Sequence, residues 1–196
     1  MIQSQSSQSS VAAALVRSNT FSPSPDRAGN LLDEVRFAAF GTCGTSLLLP
    51  KGRSRLSIVE DAVRLANSSR ERPLVKPETL AQIAADARFS RRPSRDTPIK
   101  MLGAVPGAEF RSEESQRAIL RSQDLSAPRI EDVFVAAVLF ELATRNSFFG
   151  GNLAVRASDG LVFRGVEGLE IGCKELKEQL KGFIGAIGIA AQLKGA

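Results

Sequence analysis

The stretch that most constrains how this chain folds runs from Ser126 to Gly151. Ser126-Ala127-Pro128-Arg129-Ile130-Glu131-Asp132 leads into Val133-Phe134-Val135-Ala136-Ala137-Val138-Leu139-Phe140, and Glu141 to Asn146 then carries the chain to Gly150-Gly151. Ser126, the early Pro128 and the two acids suit the unpaired N–H groups and the positive dipole end of a helix. Arg145 and the glycine pair suit its other end. Between these signals apolar residues cover every side, which predicts a core helix enclosed by protein. The run is too short and too closely flanked by charge to cross a bilayer.

Further helices are expected around it. Leu31, Leu32, Val35, Ala38 and Ala39 recur at helical spacing within residues 26–40, with Asp26 or Asn30 as caps. Leu56, Val59, Ala62, Val63 and Ala66 make one stripe over residues 57–67, and Pro77 with Glu78 opens a helix over 77–87. A polar helix is expected over 112–121. Beyond Gly151 the period changes. Residues 153–157 and 161–164 alternate around Ser158-Asp159-Gly160, and Asp-Gly between such segments is a hairpin signal, because both residues tolerate positive φ. The last helix is expected over residues 169–193, where Leu169, Cys173, Leu176, Leu180, Phe183, Ile187 and Ala191 step by four or three. The fold class these patterns predict is mainly α: a bundle-like single helical domain over 26–196 with one short β-hairpin and a disordered Ser/Gln-rich tail over 1–25.

The 196 residues are 43% hydrophobic, enough for a real core, and they carry a net charge of +5. With a pI near 9.7, the chain favours acidic partners. Histidine, tryptophan and tyrosine are all absent. Without histidine there is no Ser-His-Asp or Cys-His nucleophile system, and the side chain best suited to proton transfer near neutral pH is missing. The two cysteines, Cys43 and Cys173, make neither a CxxC pair nor a four-ligand metal site. Glu131-Asp132 and Asp33-Glu34 are adjacent carboxylates, but in early helical turns the dipole accounts for them. No catalytic set, cofactor or metal is therefore nominated. Gly41-Thr42-Cys43-Gly44-Thr45-Ser46 is no phosphate loop either, since a lysine should follow the second glycine.

Residues 88–100 stand out. Arg88, Arg91, Arg92, Arg95 and Lys100 face a single acid, Asp96, and Pro93 and Pro98 argue for a loop. Arginines on such a loop fork onto phosphates and displace condensed counterions. Phe89 is the one nearby ring for stacking a base. Lys51, Arg53 and Arg55 form a second basic turn. Gly182, Gly185 and Gly188 line the expected last helix and permit close approach, so Leu176, Leu180, Phe183 and Ile187 are the candidates for self-association, with anionic membrane contact as a further use of that helix.

Thr144-Arg145-Asn146 after an apolar helix, and Gly44-Thr45-Ser46, resemble short segments of rod-shaped and filamentous plant-virus coat proteins. The likeness spans those few residues, and the Arg and Phe-Asp-Phe patterns of that family are missing around them. It implies a nucleoprotein. The expected function is thus non-catalytic: a self-associating, coat-like or nucleoprotein binder of RNA or single-stranded DNA. Two alternatives stand beside it, an exported interaction or effector protein addressed by the Ser-rich N-terminus and a histidine-free enzyme. Residues 1–25 lack the basic start and long apolar stretch of a Sec signal peptide. An intracellular location is expected, with organelle import or specialised export as the other uses of that segment.

Overall fold

The computed structural model describes residues 28–40, 44–67, 73–109, 111–149, 154–160, 162–164, 170–172 and 187–193. The expected tail, both cysteines, and Leu176, Leu180 and Phe183 lie outside them. The elements, in chain order, are helix α1 (Ala28–Glu34), strands β1 (Ala38–Phe40) and β2 (Gly44–Leu49), helices α2 (Arg55–Asn67), α3 (Pro77–Ala85) and α4 (Ala87–Ser90), strand β3 (Thr97–Ala104), helix α5 (Glu113–Ser122), strand β4 (Leu125–Ser126), helix α6 (Ile130–Thr144), and strands β5 (Ala154–Arg156), β6 (Val162–Arg164), β7 (Glu170–Gly172) and β8 (Ile187–Leu193).

The expected mainly α fold is overturned. The protein is mixed α/β, built on an eight-stranded sheet. Along it the order is β1-β2-β3-β8-β5-β6-β7, and β4 pairs with β8 at the end opposite to β5. Every pairing is antiparallel except β5 with β8. The expected hairpin strands do pair, Ala154 with Arg164 through Arg156 with Val162. They are part of this larger sheet rather than an isolated ribbon.

Two segments account for much of the difference. Residues 97–104 contain a proline and a glycine, yet they form an eight-residue strand with Ile99 and Met101 buried and Pro98 and Lys100 exposed, the period of two that a strand requires. Pro98 is tolerated because it precedes Met101, where pairing with β8 begins, so this part of β3 has β2 on one edge only among the described residues. Gly103 sits at φ +88° where the β3–β8 register shifts, and it makes a bulge there. In β8, Ala190 joins the large core on one face while Ile189 and Ala191 join a smaller cluster on the other. An apolar run buried on both faces carries no strand alternation, so its spacing resembles that of the helix expected there.

The central helix survives, shortened. Eleven of the 15 residues of α6 are buried on all its sides. It packs on α2 and α1 and against β2, β3 and β6 of the sheet. Ser126 is not its cap. That residue lies in β4, and Arg129 occupies the N-cap position with no side-chain hydrogen bond. Arg145, at φ 62°, ends the helix in the left-handed conformation, its N–H donating to the Glu141 carbonyl. On the opposite sheet face, Leu120 of α5 packs with Val105, Ala108, Ile189 and Ala191. Buried Gln116 anchors that helix by donating to the Ala108 carbonyl (2.8 Å) and accepting from Arg156 (3.0 Å).

A candidate nucleic-acid interface

β2 ends and β3 begins at the same end of the sheet, Leu49 lying opposite Thr97. The two basic segments named from sequence are therefore brought together. The Gly52 N–H donates to the Pro93 carbonyl (2.9 Å), and the Lys51 N–H donates to the Asp96 carboxylate (2.9 Å) across 45 residues of chain. These bonds use backbone N–H groups and leave the Lys51 ammonium free. Lys51, Arg91, Arg92, Arg95 and Lys100 are all exposed. None of the five forms an ion pair among the described residues.

The other candidates are placed differently. Arg53 is bound by Glu34 (3.2 Å) and Asp61. Arg55 directs Nε (2.7 Å) and Nη2 (2.5 Å) at one oxygen of Asp132, with only 12% of its side chain exposed. Arg88 lies between Asp86 (2.6 Å) and Asp159 (2.5 Å). Hydrogen bonding to Asp86, strengthened by the charges of Asp86 and Asp159, raises the Arg88 pKa further, while the same bond holds the Asp86 carboxyl below the usual carboxylate range against the opposing effect of burial. Phe89 is fully buried, its ring edge-on to Phe134 of α6 at 5.9 Å. It offers no face to a base, because it is the apolar anchor of the short helix α4. Ile187 opens β8, which has strand partners on both edges, so it belongs to no helical stripe.

Beside the loop an open cleft of about 430 Å³ is walled by Arg55, Arg88, Arg91 and Arg129 and by the acids Glu131 and Asp159. Its walls are tied to one another. Arg88 links α4 to the β5–β6 turn through Asp159, and the Ser158 N–H in that turn donates to the Pro128 carbonyl ahead of α6 (2.8 Å). Arg129 is 69% exposed, and its Nη1 comes no nearer than 3.9 Å to Glu131. Glu131 is the residue sequence reasoning passed over, since an acid in the first turn of a helix needs no other account. It shares the cleft with Ser158 and Asp159 of the β5–β6 turn, a neighbourhood that no local pattern announces.

No group of three or more metal-ligating side chains occurs among the described residues, and no helix there is long and apolar enough to cross a membrane. Compared with family models, curated proteins and solved structures, the chain matches none.

Proposed function

We propose that the protein binds the phosphate backbone of single-stranded RNA or DNA, without catalysis, through the exposed cations Lys51, Arg91, Arg92, Arg95 and Lys100, with Arg129 at the neighbouring cleft. One observation carries the reading. Two basic segments distant in sequence are bonded to each other, and five of the cations on them, Lys51, Arg91, Arg92, Arg95 and Lys100, have no carboxylate partner among the described residues. Cations already neutralised by acids release few counterions on binding a strand, whereas unpaired ones each contribute to the salt dependence. Backbone contacts of this kind position a strand without reading its sequence. Arg53, Arg55 and Arg88 drop out of the phosphate-binding set, since each would have to leave a carboxylate first.

Titration of labelled single-stranded RNA and DNA at several salt concentrations tests this. The wild-type log–log slope should be steep, at about −0.7 per phosphate contacted. Replacing Arg91, Arg92 and Arg95 together by Ala should flatten it by roughly two units. Absence of wild-type binding tighter than about 10⁻⁴ M at low salt would overturn the reading.

A further inference from the structure

Phe40 is only half-buried, and it joins neither hydrophobic cluster of the described residues. The register explains why. Ala39, Leu47, Ile99 and Met101 turn toward the α6 side of the sheet, so Phe40, Ser46, Leu48, Pro98 and Lys100 turn to the other. Phe40 pairs with Gly44, where any Cβ would collide with its ring, so the ring is seated over bare backbone. The helix on that side, α5, packs over β4 and β8. Strands β1, β2 and β3 carry no acid, and their one charged residue is Lys100, exposed and without an ion pair among the described residues. We propose that the bound strand runs along this open face, with one base stacked on Phe40 and an adjoining phosphate on Lys100. The proposal rests on the nucleic-acid reading above, and Phe40 fills the place left empty by the burial of Phe89.

Lys100 sets the path. Sequence groups it with the arginine loop, yet it is the fourth residue of β3. That places it about 10 Å along the sheet from the end where Lys51, Arg91, Arg92 and Arg95 stand. It pairs with Ser46, which in turn pairs with Ala38, so Phe40 is two strands across and two residues along, about 12 Å between backbones. A strand held by the free arginines therefore passes Lys100 before it reaches the ring. Half-buried Leu48 and exposed Pro98, which pair with each other, give that path an apolar floor. The charge pattern selects the occupant. An acidic peptide would use the cations and leave the ring idle, and an apolar face of a second copy would have to cover Lys100. A single strand alternates anionic links with flat rings and uses both. Stacking accepts every base, so the face adds affinity without sequence preference.

The chain has no tryptophan or tyrosine, so Phe40→Trp places a single reporter in the full-length protein. A short thymidine oligonucleotide should quench its emission, and an abasic deoxyribose-phosphate strand of the same length should not. Wild type should bind the thymidine strand about tenfold more tightly than the abasic one, as one stacked base contributes. Phe40→Leu should reduce that preference to within about twofold, while the salt slope on either strand stays unchanged because no cation is lost. Equal wild-type affinity for the two strands, with a steep slope on both, overturns the inference and keeps the phosphate-binding surface. A preference that survives in Phe40→Leu overturns it as well. Emission of Phe40→Trp that changes with protein concentration and not with added strand assigns the face to a second copy, which also overturns it. Quenching by the thymidine strand with a slope that the Arg91, Arg92 and Arg95 triple variant leaves unchanged removes the arginine surface and keeps the stacking face. The wild-type comparison of the two strands stands alone if a variant fails to fold.

Discussion

Arg88 and Arg91 are three residues apart in one basic stretch, and they have opposite surroundings. Arg88 belongs to α4, which Phe89 anchors in the core against Phe134, and it is held between Asp86 and Asp159. Arg91 follows the end of that helix and stands exposed, as do Arg92 and Arg95. Asp86, two residues before Arg88, and Asp159 from the distant β5–β6 turn have made the first half of the stretch structural, and the second half is held by the Lys51 and Gly52 backbone N–H groups, which leave its arginines available. Positive charge in a sequence is thus a poor measure of positive charge offered to a partner. What decides is whether folding brings a carboxylate within reach.

The comparison breaks most visibly at Phe89. Phe89→Ala should cost about 3–5 kcal/mol in urea denaturation, because it empties a fully buried ring site. A ring standing on a solvated loop would cost within about 0.5 kcal/mol, and that result would return Phe89 to the binding surface.

Asp132→Ala comes next. It strands Arg55, 12% exposed, without its acid, and a loss of about 3 kcal/mol is expected by the same measurement. Replacing Arg55 by Met and Asp132 by Leu together should recover most of that stability, since an apolar pair leaves no charge unmatched. A double variant no better than the single one would show that the pair itself, rather than the stranded charge, is what matters.

A smaller effect is expected from pH. The native Asp86 carboxyl lies below its ordinary value of 3.8, chiefly through the Arg88 hydrogen bond. A depressed native value means that the unfolded chain takes up the proton first as pH falls. The stabilisation is therefore complete above about pH 5 and is lost as pH falls through 4 toward the native value. Asp86→Asn should be less stable than wild type near neutrality, and the gap should close on acidification. A gap independent of pH would remove the linkage.

The smallest change in stability sharpens the contrast from the other side. Replacing Arg91, Arg92 and Arg95 together by Ala should move the urea midpoint by no more than the equivalent of about 0.5 kcal/mol, because all three are exposed and none forms an ion pair among the described residues. The same variant that flattens the salt slope should thus fold like wild type.

The sequence alone determined the features whose causes are local. The α6 helix is legible because an apolar run without strand alternation, ended by Arg145, has few other solutions at that length. The helices at 55–67, 77–85 and 113–122 carry their own stripes, and Pro77 or Ser112 marks where two of them begin. The pairing of β5 with β6 is legible from the alternation on either side of Asp159-Gly160. The rest was decided by tertiary structure. β3 and β8 are strands because each finds hydrogen-bonding partners that stand far off in the chain, and their Pro, Gly and doubly buried residues hide the alternation that would have announced them. The same holds at the candidate site. That Arg53, Arg55 and Arg88 are bound depends on the acids that α1, α2, α6 and the β5–β6 turn carry to them. Charges and hydrogen bonds are settled by distance in space, which composition does not record.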